Sequence, residues 1–219
     1  MSKSRSRRIW LAVVVALTAA APVLPTRATH SLTSPRWFWD ANSNGIADSS
    51  DSFRTYQRVG TSWTQDKINR VLTAAADWTT TSDWNPSIGT SAGLVATVRV
   101  DGFNPCGSWA PSTVAINCLT IQNMTTYMRI KTSHVSINLS HAWYYGNGTQ
   151  PAGSYDYWGL MTHEIGHGAR LRDLYGSDCG GPGPDTIHSM CGATTEAASR
   201  FLRTTTSDDR ASANAMYAP

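Results

Sequence analysis

The stretch THEIGHGARLRDLYG, Thr162 to Gly176, limits what this chain can fold into more than any other. Two histidines stand four residues apart, with a glutamate directly after the first. On an α-helix, positions i and i+4 share a face one turn, roughly 5.4 Å, apart. His163 and His167 can therefore point ring nitrogens at one ion. Zinc accepts such nitrogens at roughly 2.0–2.1 Å. Glu164 is rotated by about 100° from His163. That puts it beside the ion rather than on it, where it can deprotonate a water activated by the metal. The bland alternative is two helical histidines satisfied by hydrogen bonds. Two facts weigh against it: a further carboxylate follows at Asp173, and one of the chain's two glutamates, Glu164 and Glu196, stands at the catalytic position.

The start of the chain reads as an address. MSKSRSRR is basic, Ile9 to Leu24 is apolar, and cleavage after Ala28 leaves small residues at the usual positions. Residues 1–28 are thus expected to be a secretory signal peptide. The apolar run is too short for a comfortable membrane span, so no stable membrane anchor is expected. Five of the 18 basic residues and none of the 15 acids lie in this leader. The apparent basicity belongs to it, and nothing argues for a nucleic-acid partner. Residues 29–219 suffice for a single domain with a real core.

Four cysteines fit a secreted, extracellular protein. Cys106 and Cys118 are twelve apart, as are Cys179 and Cys191. Three pairings are open. The two local ones are favoured because each closes one loop without long-range assembly.

Hydrophobic spacing predicts a helix over Thr64 to Trp78, with Thr64 as N-cap and Ile68, Val71, Leu72, Ala75 and Trp78 facing a core. Gly93 to Asp101, Val114 to Ile121 and Met128 to Leu139 read as strands. A second helix begins at Tyr157 behind Asp156 as N-cap. A third helical region covers Thr194 to Arg203, and a last one follows Ser207, with Asp208 and Asp209 in its first turn. Helix, strands, helix, loop, helix is an α+β order, a β-sheet packed on helices.

HEIGHGARLRD, the preceding DYWGLMT (Asp156 to Thr162) and the later HSMCG (His188 to Gly192) together resemble the metzincin zinc metallopeptidases, matrixins included. That clan extends its motif as HExxHxxGxxH, and the snapalysins place aspartate last. The resemblance implies zinc on His163, His167 and Asp173, with Glu164 as general base and acid in peptide-bond hydrolysis. It implies Met190 in a Met-turn beneath the metal. It implies a twisted mixed sheet, a long active-site helix and a smaller C-terminal subdomain. Substrate would lie antiparallel along an edge strand, placed here within His134 to Leu139. The family's glycine is Arg170 in this chain. Either a non-glycine residue makes that left-handed turn, at roughly 1–2 kcal/mol, or Gly168 ends the helix early. Glu196, in the manner of thermolysin-like enzymes, and His188 stay open as third ligands.

A second metal loop is suggested by DANSNGIADSSD, Asp40 to Asp51. Asp40, Asn42, Asn44, Asp48 and Asp51 stand at calcium-loop positions, with Gly45 at the sixth. A polar surface turn is the plainer reading. The expectation is a secreted, monomeric zinc endopeptidase acting on proteins or peptides. The alternative is a non-catalytic secreted binding module with a structural zinc site.

Overall fold

Thr64 is extended (φ −108°, ψ 163°), and its hydroxyl accepts from the Lys67 amide, which starts helix α1, Gln65–Thr81. At the other end the Ser82 amide returns to the Trp78 carbonyl at 3.0 Å. The buried face is Arg70, Val71, Ala74, Ala75 and Trp78. Leu72, expected inside, is 43 % exposed. Arg70 takes an inward place because its guanidinium finds the Tyr145 carbonyl and the Asn147 side chain. A buried cation is tolerated where its hydrogen bonds are met.

The computed structural model describes residues 37–40, 43, 45, 51–90, 95–124, 127–180, 187–192 and 196–217. The leader, residues 1–28, lies outside them, as do Asn42, Asn44 and Asp48. The strands are β1 (Trp37–Phe38), β2 (Phe53–Val59), β3 (Asn85–Gly89), β4 (Ala96–Arg99), β5 (Ala115–Asn123), β6 (Met128–Ile137), β7 (Trp143–Tyr144) and β8 (Tyr155–Asp156). Helix α2 spans Tyr157–Gly168, α3 Glu196–Ser199 and α4 Ser207–Tyr217, with 3₁₀ turns at Gly176–Cys179 and Arg200–Arg203.

The main sheet has six strands in the order β1-β6-β4-β2-β3, with β5 on the other side of β6. All its pairs are parallel except β5 with β6. The α+β class therefore holds, with a mostly parallel mixed sheet. β2, α1 and β3 form a βαβ unit, the usual way to join adjacent parallel strands. Neither β2 nor β3 shows in the hydrophobic pattern. β2 reads FRTYQRV, with Tyr56 its one buried residue. β3 carries Pro86, which fits only because β3 ends the sheet and that missing amide costs no ladder bond.

The helices and the sheet share one hydrophobic cluster, which includes Trp78, Trp84, Tyr56, Ile137, Ile165 and the C-terminal Leu202, Met216 and Tyr217. Both local disulfides form, Cys106–Cys118 and Cys179–Cys191, with Cα atoms 5.6 and 5.0 Å apart. They fit an oxidising compartment. Among the described residues, no helix is long and apolar enough to cross a membrane.

Asp156 anchors the start of α2. It is fully buried. Its Oδ1 caps the Gly159 amide at 2.8 Å, and both its oxygens accept from Arg203, at 2.5 to 3.1 Å. Arg203 continues to the carbonyls of Asn147 and Gly148. Removing one partner of such a pair costs about 3–5 kcal/mol when the other stays buried. Arg203 is 16 % exposed, which favours the lower end. We expect Asp156→Ala to lose about 3 kcal/mol, or ~6–12 °C in melting temperature. A thermal shift below ~2 °C would show that this pair does not hold α2 in place.

Candidate metal centre

Helix α2 places the two histidines as their spacing requires. His163 and Glu164 are each 5 % exposed. The His163 Nδ1 lies 2.8 Å from the Ser189 carbonyl and the His167 Nδ1 lies 2.8 Å from the Leu171 carbonyl. A carbonyl only accepts, so each Nδ1 carries the hydrogen and each Nε2 keeps its lone pair free for a cation. Outer-shell bonds of this kind orient metal-ligating histidines.

Asp173 completes the set. Its Oδ1 lies 3.1 Å from the His163 Nε2 and 3.5 Å from the His167 Nε2. The three ligand atoms lie within 4.8 Å of one another, the one such group of His, Cys, Asp or Glu among the described residues. Two lone pairs and a carboxylate oxygen repel one another unless something positive lies between them. A tetrahedral ion with bonds of about 2.0–2.1 Å holds its ligand atoms about 3.3–3.4 Å apart, and the two nitrogen–oxygen separations bracket that figure. This group could hold a metal ion.

Without a metal, protons serve that role. Burial alone would lower the His167 pKa, but the Asp173 hydrogen bond and the Glu164 charge outweigh it and push it up to about 9. Burial alone would raise Asp173, yet the hydrogen bonds and charges of both histidines hold it far below the usual carboxylate range. Burial pushes the Glu164 carboxyl up. His167 thus keeps its proton below about pH 9 in the metal-free protein, and a metal displaces it. Calorimetry at pH 7 in buffers of different ionisation enthalpy should register release of about one proton or more per metal ion bound. A value near zero would contradict this arrangement.

The turn that returns Asp173 is made by Arg170 itself, at φ +72° and 3 % exposed. Gly168 is the last residue of the helix, and close packing is what requires a glycine there. A Cβ there would strike the Tyr56 hydroxyl and press on Trp84 at 3.2 Å. Trp39 also donates to the Gly168 carbonyl at 3.0 Å. The left-handed strain at Arg170, about 1–2 kcal/mol, is offset by contacts of its buried side chain, including Nη1 at 3.6 Å from the Met216 sulfur.

Met190 is fully buried and lies against Gly166, where a Cβ would collide with its sulfur and with Trp78. His188 to Cys191 closes as a tight turn, the Cys191 amide meeting the His188 carbonyl at 3.1 Å. The Leu174 amide reaches the Met190 carbonyl at 2.8 Å. His188 and Glu196 do not join the ligand group. His188 pairs Nδ1 with the Thr206 hydroxyl at 2.8 Å, and Glu196 is exposed at the start of α3.

Three participants escaped the sequence. Asn117 of β5 donates to the Glu164 carbonyl at 2.7 Å. Tyr175 donates to the Asp173 Oδ2 at 3.3 Å. Asp209 accepts from the Ser189 amide at 2.9 Å and so braces the segment that orients His163. Asp209 was legible only as a first-turn acid. The other two carried no pattern.

A cleft of about 920 Å³ opens over this group, lined by β5, the face of α2, residues 170–173, Tyr175 and Gly192. The edge strand beside it is β5. The segment expected to be the edge, within His134 to Leu139, is instead interior where His134 and Val135 pair with both β4 and β5. No family model matches this sequence, and no curated protein matches it.

Proposed function

We propose that this protein is a secreted, metzincin-type zinc endopeptidase. The observation that carries the reading is Glu164 beside three converging ligand atoms, in a cleft bordered by β5, whose outer edge has no strand partner among the described residues. His163, His167 and Asp173 would hold zinc, which when bound supplies Lewis-acid polarisation and makes water a nucleophile near neutral pH. An extended peptide adds antiparallel to β5, its backbone taking the free hydrogen-bonding groups of that edge. Glu164 accepts a proton from the attacking water on its carboxylate and passes it to the leaving amine. Met190 supports α2 from below without ligating. The cleft walls limit bulk water around Glu164.

The test uses protein from Thr29 onward on casein. Cleavage is expected, with loss on chelation and return on adding zinc. Fully metal-loaded protein that cuts neither casein nor a broad peptide library would make the site a structural clasp and the protein a binding module.

Calcium at 40–51 belongs to the same proposal. Asp40 and Asp51 are both buried, and Asp40 Oδ1 accepts no hydrogen bond from the described residues while its Oδ2 accepts from Tyr127. Gly45 sits at φ +76°, as the sixth position of such a loop requires. At calcium 100 times its dissociation constant the fold gains about 2.7 kcal/mol, so the melting temperature rises by several degrees. An identical melting temperature in calcium and in a calcium-selective chelator would remove this site.

A further inference from the structure

A chain of hydrogen bonds joins the strand edge to the helix that bears the general base. The Asn117 Nδ2 lies 2.7 Å from the Glu164 carbonyl, the Ser133 Oγ 2.8 Å from the Asn117 Oδ1, and the Tyr56 Oη 3.0 Å from the Ser133 Oγ. Its direction is fixed. The Glu164 carbonyl only accepts, so the Asn117 amide donates there and its oxygen faces Ser133. The Ser133 hydroxyl must then donate to Asn117 and accept from Tyr56. Ser133 and Tyr56 are fully buried, so the bonds are shielded from water. Asn117 and Ser133 are diagonal neighbours across the β5–β6 ladder, since Ser133 stands opposite Leu119. Tyr56 also wedges against Gly168 at the end of α2.

The consequence is geometric. Among the described residues, β5 is held by the sheet only through β6. Apolar contact between β5 and α2 is non-directional. Asn117 adds a directional link, and it ends on the backbone of Glu164 itself. We propose that Asn117 is a positioning residue that fixes the gap between the free-edge strand and Glu164, so that a peptide paired to β5 presents its scissile carbonyl at the right height. The inference rests on the peptidase reading above.

Three variants test it: Asn117→Leu, Asn117→Asp and Ser133→Ala. Asn117→Leu keeps the bulk and removes the bonds. Asn117→Asp keeps the shape but turns an acceptor toward the Glu164 carbonyl. For both, kcat on an extended peptide falls by roughly 10- to 100-fold, the scale of a misplaced reacting group. KM stays within about threefold and bound metal is unchanged, the pattern of a contact that matters in the transition state. In the metal-free protein, amide exchange across residues 115–119 rises about tenfold as β5 loosens. Ser133→Ala gives a smaller kcat loss, and adding it to Asn117→Leu costs nothing further, because the two act through one link. Should Asn117→Leu not fold, the other two variants carry the test.

The proposal requires both the kcat loss and the faster exchange. It is overturned if kcat stays within about twofold of wild type, if activity falls only in step with bound metal, or if exchange is unchanged. Wild-type protein with no turnover overturns it together with the peptidase reading. An active wild type with fully active Asn117 variants overturns it alone.

Discussion

Glu164→Ala is expected to lower kcat/KM on peptide substrates by roughly 10²- to 10⁴-fold, the usual share of a positioned general acid–base group, while bound metal stays near that of wild type. The carboxylate is buried beside the ligand atoms but outside their group. Its loss removes the proton acceptor and leaves both histidines and Asp173 in place. The Asn117 bond goes to the backbone carbonyl, so the substitution does not break it. Metal analysis beside casein and peptide assays reads both halves. A variant that binds metal and cuts at the wild-type rate would end the role assigned to Glu164. A variant that loses the metal would show that Glu164 is itself a ligand.

Asp173→Ala carries the second large effect. It should weaken metal binding by more than about 100-fold, beyond the roughly 10- to 100-fold typical of losing an outer-shell partner. Its Oδ1 is the atom that faces both free Nε2 lone pairs. Without it the ligand group offers two imidazoles and no carboxylate. Glu196→Ala and His188→Ala should stay within about tenfold of wild type, because neither side chain reaches the group. Loss of metal in the Glu196 variant alone would move the third ligand to α3 and replace the metzincin reading with the thermolysin-like one.

The legible features share a cause: each is encoded within a few residues. Thr64 and Asp156 announce helix starts because a cap needs only the next three amides. His163 and His167 meet because i and i+4 always do on a helix. Each disulfide closes a twelve-residue separation. The central strands showed in their β-branched runs, and β6 came out within two residues of its expected end.

What escaped is non-local. β2 has polar faces and becomes a strand because β3 and β4 pair with it on either side. β3 hides behind Pro86 and is rescued by its place at the sheet margin. The edge itself was misplaced from β6 to β5, since an antiparallel partner on one side and a parallel one on the other cannot be read from a single strand. Leu72 stays outside, while Arg70 turns inward to acceptors 75 and 77 residues away that no local pattern announces.

The sequence by itself determined the helix with its two histidines, the glutamate between them and the caps, because backbone geometry over one to three turns dictates them; it favoured the two local disulfides but left three pairings open. Tertiary structure alone decided that Asp173 returns to the histidines, through a left-handed, buried Arg170. It also decided that β5 is the open edge and that Asn117 ties that edge to Glu164. Those depend on which distant segments come to lie side by side, and side-chain pattern along one segment does not encode its neighbours.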